Sequence, residues 1–211
     1  MQQVPDLDEV IRNQQARREM LDRFGVYFLR DIHDQEAERF CKSILLMAGM
    51  RKNTQSRDLT IYINSGGGSV GAGFAMMEIL YKVKRDFGAR IITIITGYAY
   101  SMGAILFQAG DHRVMGRLST LMLHSPSWMI SGEDHRIFQD YEKLSGQYKS
   151  VIGELFAWRT GRYDAPWWRK FIYSGRDRFL SPKECLKLGL VDEISLIDDS
   201  YPALDAKTEG M

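Results

Sequence analysis

Ser101 occupies a position in the sequence where nucleophilic chemistry is readily placed. It lies within Ala99–Gly103 (AYSMG), at the junction between an apolar strand pattern and a helix pattern. A serine at such a junction is sharply exposed, and the N–H of the next residue, Met102, faces the same way, which suits acyl transfer. Serine is also a favoured helix N-cap, and the local sequence supports that interpretation equally well. A nucleophilic role would require a general base, because a serine hydroxyl is a weak nucleophile at neutral pH.

Four histidines are available as the base. His124 ends the apolar strand pattern Leu121–Leu123, the kind of position at which α/β folds present functional side chains. A hydrogen-bonded structural histidine is the alternative. His33, His112 and His135 occur in turns or at a charged helix start, and we expect them at the surface.

A glycine-rich loop, Asn64–Val70 (NSGGGSV), follows another strand pattern. Backbone N–H groups in such a loop can bind an oxyanion or a phosphate, although a plain flexible turn is the alternative. Phosphate is disfavoured, because the loop lacks the lysine of G-x-x-x-x-G-K-[ST] and the spacing of G-x-G-x-x-G. Spacing cannot select an acidic partner for His124, since triads are recognised by geometry. Asp177 is flanked by Arg176 and Arg178, and a surface ion pair explains it equally well.

Hydrophobic patterns predict alternating strands and helices around these motifs. The predicted strands are Val26–Leu29, Leu59–Asn64, Arg90–Thr96 and Thr120–Leu123, and the predicted helices lie near 37–48, 71–83, 102–109, 135–160 and 182–188. The run Arg90–Thr96 has the character of a strand buried on both faces, as in a parallel sheet covered by helices. In the helix near 71–83 the apolar positions are Ala72, Ala75, Met76, Ile79, Leu80 and Val83. One α/β domain is predicted.

Charge and composition narrow the range of partners. The chain has 28 Lys and Arg residues against 27 Asp and Glu residues, a balance that argues against nucleic acid or an anionic membrane as partner. The acidic amino-terminal residues do not form a signal peptide, and no apolar run approaches the ~20 residues of a membrane span. Cys41 and Cys185 lie at helical positions where a small buried apolar residue would serve. We expect a soluble, cytoplasmic protein.

Taken together, these motifs resemble the signature of the ClpP peptidase family. They are Tyr62–Val70 (YINSGGGSV), Tyr100–Ala104 (YSMGA), Leu121–His124 (LMLH), and Arg176–Glu184 (RDRFLSPKE) with Gly189–Glu193 (GLVDE), in that order. The resemblance implies a ClpP/crotonase-like α/β spiral of repeated β-β-α units, with a handle helix at about 135–160. It also implies an amino-terminal helix or axial segment (1–25), a peptidase domain (26–195) and a carboxy-terminal tail (196–211).

Carried over position by position, the resemblance assigns roles to individual residues. It implies a triad of Ser101, His124 and Asp177, with the backbone N–H groups of Gly68 and Met102 as an oxyanion hole. The implied substrate contacts are Gly67, Ser69, Val70 and Pro126, and the implied oligomer contact is Arg176.

The resemblance also implies partners. These are peptide substrates, other copies or paralogous subunits in heptameric rings that stack in pairs, and an AAA+ unfoldase, with neither metal nor organic cofactor. Two positions depart from the family pattern. Gly66 replaces the usual proline of the oxyanion loop, and Gly175 replaces the acid that precedes Arg176. We expect a more flexible oxyanion loop and altered coupling between rings.

Three alternatives belong to other functional classes. A catalytically silent subunit would have a structural role, although silent subunits usually lose triad residues. A crotonase-type acyl-CoA enzyme would share the fold but would have no use for Ser101 and His124. A signal-peptide peptidase of the serine–lysine type would need a membrane anchor, and we expect none because no apolar run approaches the length of a membrane span.

Overall fold

The computed structural model describes residues 24–54, 56–125 and 135–195. The strands are β1 (Val26–Leu29), β2 (Asp58–Ser65), β3 (Arg90–Tyr100), β4 (His112–Gly116), β5 (Thr120–Leu123), β6 (Arg178–Leu180) and β7 (Glu193–Ser195). The helices are α1 (Asp34–Arg51), α2 (Val70–Phe87), α3 (Met102–Phe107), α4 (His135–Thr160), α5 (Ala165–Ile172) and α6 (Pro182–Leu188). The amino-terminal segment before residue 24, Pro126 and the tail 196–211 lie outside the described residues.

The described strands form a single sheet with two wings that share β3. The main wing has the order β1-β2-β3-β4-β7, and all of its pairs are parallel. The first half of β3 pairs with β4, whereas the second half, Tyr98–Tyr100, pairs with β5, and β5 pairs antiparallel with β6. Gly97, at φ 89°, lies between the two halves. The change of partner brings the ends of β3 and β5 together.

Helix boundaries follow the capping chemistry in the sequence. In α2 the Ser69 side chain accepts a hydrogen bond from the Ala72 N–H, and Gly88 ends the helix in the left-handed region at φ 64°. In α6 a capping box joins Ser181 and Glu184, and Gly189 ends the helix at φ 74°. Serine at the first position and glycine at the last are the residue types favoured at helix ends.

Two burial predictions need correction. Ala75 is exposed, while Met77, which the predicted apolar face omitted, is 4% exposed. Strand β3 is not buried on both faces. Ile91 and Ile95 are fully buried, but Ile92 and Ile94 on the opposite face are only partly covered. The described part of the chain covers only one face of this strand completely.

No helix within the described ranges is long and apolar enough to cross a membrane.

Candidate active site

Ser101 lies at the turn from β3 into α3 and has an unusual backbone conformation. Its φ of 53° and ψ of −121° make it the only non-glycine residue with positive φ among the described residues. The turn is held on both sides, because the Ser101 N–H donates to the Met122 carbonyl at 2.9 Å and the Ser101 carbonyl accepts from the Ala104 N–H at 3.1 Å. Strained non-glycine conformations of this kind cost about 1–3 kcal/mol and concentrate at functional sites.

The Ser101 hydroxyl contacts an imidazole. Its Oγ lies 2.7 Å from Nε2 of His124. The same hydroxyl forms no capping hydrogen bond to the N–H groups of α3, all of which the structure describes. Ser101 therefore stands at the N-cap position of α3, but its side chain does not cap the helix. A serine hydroxyl that can donate to a neutral imidazole is the arrangement in which general-base activation takes place.

Asp177 lies on the other side of the imidazole, at a longer distance. Its Oδ1 is 3.7 Å from Nδ1 of His124, beyond hydrogen-bond range, and its side chain is 56% exposed. Among the described residues, the imidazole of His124 lies within 4 Å of the Asp177 carboxylate, and neither flanking arginine does. The Arg178 guanidinium instead lies over the Phe171 ring and donates to Ser174 Oγ. The proposed surface ion pair with the neighbouring arginines is not formed.

The glycine-rich loop packs directly against the Ser101 turn. A Cβ at Gly67 would lie 2.8 Å from Ser101 Cβ, 2.8 Å from the Tyr100 carbonyl oxygen and 3.1 Å from the Met102 nitrogen. The φ of Gly67 is 97°, in the left-handed region that favours glycine. Only a residue without a side chain allows the loop to approach the serine this closely.

Gly68 is fixed by the chain segment before α1. It bridges Ile32, and the N–H of Ser69 donates to the Ile32 carbonyl at 2.8 Å. A Cβ at Gly68 would overlap that carbonyl, and the φ of 142° is again one that side chains rarely adopt.

Two backbone N–H groups are therefore available beside the serine. The N–H groups on either side of Gly68 are engaged, that of Gly67 with Ser65 Oγ at 3.1 Å and that of Ser69 with Ile32. The Gly68 N–H has no hydrogen bond to the described residues. Met102 is the first residue of α3, so its N–H has no intrahelical partner. These are the two donors that the sequence resemblance assigned to an oxyanion hole.

Of the remaining predicted contacts, Ser69 and Val70 lie at the end of this loop. Ser69 is exposed, but its hydroxyl is engaged as the N-cap of α2, whose first residue, Val70, is partly buried. Arg176 is exposed, close to Asp177 in the sequence. Pro126 lies outside the described residues. Sequence reasoning missed Ile32 and Met122, which fix the loop and the serine turn through their carbonyls, because backbone contacts between distant segments leave no residue signature.

Two of the other histidines have partners away from Ser101, and both cysteine thiols have raised pKa values. His33 caps α1, with its Nδ1 accepting from the Glu36 N–H at 3.2 Å, and His112 Nε2 lies 2.8 Å from Glu193 Oε2 in β7. Burial raises the pKa of the Cys185 thiol to about 12. Cys41 is only partly buried, not fully as expected, and burial raises its thiol pKa as well. A raised pKa disfavours the nucleophilic thiolate.

Comparison with known proteins agrees with this geometry. The Clp protease family model matches residues 8–197. A relative from Rhodococcus jostii, ATP-dependent Clp protease proteolytic subunit 3, is 34% identical over 166 residues, which cover 78% of this chain and 77% of the relative. ATP-dependent Clp protease proteolytic subunit 2 of Thermobifida fusca is 30% identical over 185 residues, covering 86% and 85%. The proteolytic subunit of Oltmannsiellopsis viridis is 30% identical over 172 residues, covering 81% and 83%.

A parallel sheet flanked by helices, together with a serine–histidine pair at a strand end, defines a peptidase of the ClpP/crotonase-like fold. The chain belongs to the Clp protease family, as a divergent member.

Proposed function

We propose that the protein is a serine endopeptidase, the proteolytic subunit of a Clp-type protease that hydrolyses unfolded polypeptides. The observation that carries the proposal is the 2.7 Å contact between Ser101 Oγ and His124 Nε2 at a strained strand-to-helix turn. In this role Ser101 is the nucleophile, His124 the general base and Asp177 the group that orients the imidazole.

The geometry supports a two-stage acyl transfer. The Ser101 oxygen attacks the carbonyl carbon of a peptide bond while Nε2 of His124 takes the hydroxyl proton. The tetrahedral oxyanion accepts hydrogen bonds from the N–H groups of Gly68 and Met102. Removing one such donor typically raises the barrier by about 3 kcal/mol. His124 then protonates the leaving amine, and a water molecule, deprotonated by the same imidazole, hydrolyses the acyl-serine.

Self-assembly and a partner form part of the proposal. By family analogy the subunits form heptameric rings, stacked in pairs through contacts that include Arg176, with substrate delivered by an AAA+ unfoldase. The cytoplasm is the compartment proposed. Asp177 lies 3.7 Å from the imidazole in the isolated chain, and assembly is the step proposed to shorten this distance to a hydrogen bond.

The alternatives are weaker on specific grounds. A silent subunit has no need for the strained conformation of Ser101, nor for the hydroxyl to point at His124 instead of capping α3. A crotonase-type enzyme would use the N–H pair without the serine and histidine. A serine–lysine peptidase would need a lysine where His124 lies.

Hydrolysis by the assembled protein tests the proposal. Wild type, Ser101→Ala and His124→Ala are compared on a short fluorogenic peptide and on an unfolded protein substrate, with light scattering to record assembly. We expect cleavage by wild type only, with equal assembly of all three, and no binding of CoA. An assembled wild type that cleaves neither substrate would support the silent subunit instead, and tight CoA binding would support the acyl-CoA enzyme.

A further inference from the structure

Ser119 is a buried polar residue at the point where β3 exchanges one neighbouring strand for another. It lies in the turn between β4 and β5 and is 4% exposed. Its hydroxyl accepts a hydrogen bond from the Gly97 N–H at 3.0 Å and donates one to the Ile95 carbonyl at 3.1 Å. A serine hydroxyl has a single proton to donate, and here that proton is used in the bond to Ile95.

These two hydrogen bonds replace strand pairing that is missing at this point. Strand β3 pairs with β4 as far as Ile95 and with β5 from Tyr98 onward, which leaves Thr96 and Gly97 outside both pairings. A buried backbone N–H or carbonyl without a partner is costly. The Ser119 hydroxyl bonds to one N–H and one carbonyl at the break, and so takes the place of a neighbouring strand.

The break also contains an offset between the strands. From Ile95 to Tyr98, β3 advances by three residues. Their partners Met115 and Thr120 are five residues apart, so the facing side contains two extra residues. These lie in the turn that includes Ser119. An irregularity of this kind resembles a β-bulge, which bends a strand and can redirect side chains at a functional site.

The offset determines how the ends of β3 and β5 meet. Ser101 follows Gly97 by four residues, and His124 follows Ser119 by five. Between these points the two strands are paired, and the Ser101 N–H donates to the Met122 carbonyl at the end of that pairing. A slip of β5 by one residue would turn its side chains to the opposite face of the sheet and would separate His124 from Ser101.

We propose that Ser119 is a positioning residue whose hydroxyl fixes the register of β5 against β3 and thereby holds His124 at hydrogen-bond distance from Ser101. This rests on the proposed peptidase function. Gly97 lies about 13 Å along β3 from the nucleophile, at about 3.3 Å per residue, so Ser119 cannot itself contact the reacting atoms. Its effect passes through the two strands to the 2.7 Å contact between Ser101 Oγ and His124 Nε2.

The test compares wild type with Ser119→Ala, which removes both hydrogen bonds of the hydroxyl. The assembled proteins are studied at a temperature where circular dichroism shows both to be folded and light scattering shows equal assembly. Two quantities are measured, the steady-state kcat and KM on a fluorogenic peptide and the rate constant for phosphonylation of Ser101 by a fluorophosphonate.

We expect Ser119→Ala to lower both kcat and the phosphonylation rate by about tenfold to a hundredfold, the effect of displacing a reacting group by up to about 1 Å. KM should stay within about twofold of wild type, because the hydroxyl acts on the reacting pair and not on substrate binding. Ser119→Cys has a side chain of similar size whose thiol is a weaker donor and acceptor. Both of its rates should lie between those of wild type and Ser119→Ala.

Tyr27→Phe is the matched control for general destabilisation. It removes another buried hydrogen bond, the one that the Tyr27 hydroxyl donates to Glu36 Oε1 at 2.6 Å between β1 and α1. Loss of this bond should lower the free energy of unfolding. The kcat and the phosphonylation rate should both remain those of wild type.

The outcomes separate this proposal from the function on which it rests. A Ser119→Ala protein that is less stable but keeps the wild-type kcat and phosphonylation rate would make Ser119 a purely structural residue and overturn the proposal. An equal loss of both rates in Tyr27→Phe would overturn it as well. If Ser119→Ala does not assemble, Ser119→Cys is judged by the same criteria. A wild type that neither cleaves peptide nor reacts with the fluorophosphonate would remove the peptidase function, and the positioning role with it.

Discussion

At the scale of single residues, the candidate site depends on glycines, which have no side chain, as much as on reactive residues. In the proposed mechanism Ser101 and His124 provide the reacting atoms, and Gly67 and Gly68 allow the glycine-rich loop to lie against the Ser101 turn. A side chain at either glycine would meet backbone atoms that cannot move without displacing the site. The serine and histidine could be predicted from the sequence because each ends a strand pattern. The 3.7 Å separation of Asp177 from the imidazole could not be predicted from the sequence, because it depends on how β5 and β6 pair.

Gly67→Ala should therefore lower kcat/KM by roughly a hundredfold, since a displacement of about 1 Å at a reacting group costs that much. The new methyl group would lie 2.8 Å from Ser101 Cβ and from the Tyr100 carbonyl oxygen. Steady-state peptide hydrolysis provides the measurement, together with a thermal melt.

Gly66→Ala is the matched control within the same loop. No described atom lies within 4 Å of its Cβ position, and its φ lies outside the left-handed region. It should retain wild-type kcat/KM. Equal activity of the two alanine variants would contradict the packing described for the loop.

At the scale of elements, helix α2 packs closely against the side chain of Met102, whose backbone N–H is one of the two proposed oxyanion donors. A Cβ at Gly73 would overlap the Met102 side chain, which is 1% exposed and has no room to move outward. We expect Gly73→Ala to lower the free energy of unfolding by about 1–3 kcal/mol, the usual cost of overpacking. It should also reduce peptide hydrolysis. Urea denaturation and the peptide assay measure the two effects.

Gly71→Ala, in the same helix, should instead raise the free energy of unfolding. Its nearest non-neighbouring atom would be Ser69 Oγ at 4.0 Å, so the better helix propensity of alanine should stabilise the protein by up to about 1 kcal/mol. Destabilisation by both variants would show that glycine is needed in this turn for reasons other than the Met102 contact.

A partly buried ion pair ties β4 to the segment before β7. The Arg113 guanidinium, which is 5% exposed, donates to Asp192 at 2.6 and 3.0 Å and to Gln108 Oε1. Burial raises the pKa of the Asp192 carboxyl, but the hydrogen bonds from Arg113 outweigh that effect and hold the pKa below its ordinary value. A carboxyl whose pKa is lower in the folded state than in the unfolded state stabilises the fold above the unfolded-state pKa of about 3.9. This contribution is lost as the pH falls through the folded-state pKa.

Asp192→Asn should remove this pH-dependent contribution. At pH 7 we expect a loss of about 1–2 kcal/mol in the free energy of unfolding, a figure moderated because the carboxylate is about a third exposed. The difference between wild type and variant should shrink as the pH falls below about 3.9, because the contribution of the carboxylate charge is lost as the pH falls through the depressed folded-state pKa of Asp192. Urea denaturation at pH 7 and at pH 3 provides the measurement, and an equal difference at the two pH values would contradict the role of the carboxylate charge.

The sequence patterns predicted β1, β2, β3 and β5 but missed β4, β6 and β7. Helices α2 and α6 could be placed from Ser69, Gly88, Ser181 and Gly189. Strands β6 and β7, of three residues each, are too short for a periodic pattern, and their positions depend on pairing with β5 and β4. The sheet face carrying Ile92 and Ile94 appeared fully apolar in the sequence, but the described part of the chain covers it only partly.

At the scale of the whole molecule, Gly175 changes what can be expected of assembly. Its φ is 79°, in the left-handed region, and no described atom lies within 4 Å of its Cβ position. An acid at this position would meet no steric obstacle but would require a backbone conformation that side chains rarely adopt. The acid of the family pattern cannot simply be restored here without strain, so the proposed contacts of Arg176 lack an acid at the preceding position.

We predict that activity depends on assembly because the isolated chain leaves Asp177 short of a hydrogen bond to His124. Activity per subunit should rise with protein concentration, in parallel with the fraction of assembled protein measured by light scattering. Full activity of dilute monomer would contradict this coupling. Assembly without any rise in activity would instead place the controlling contact in a separate partner.

The most direct measurement of the central claim is the mass of the intact, assembled protein after treatment with a fluorophosphonate, for wild type, Ser101→Ala and His124→Ala. A serine activated by an imidazole displaces fluoride and retains the phosphonyl group, whereas an ordinary surface serine does not react. The account predicts one adduct per subunit on wild type and none on either variant. No adduct on assembled wild type, or an adduct that persists in Ser101→Ala, would contradict it.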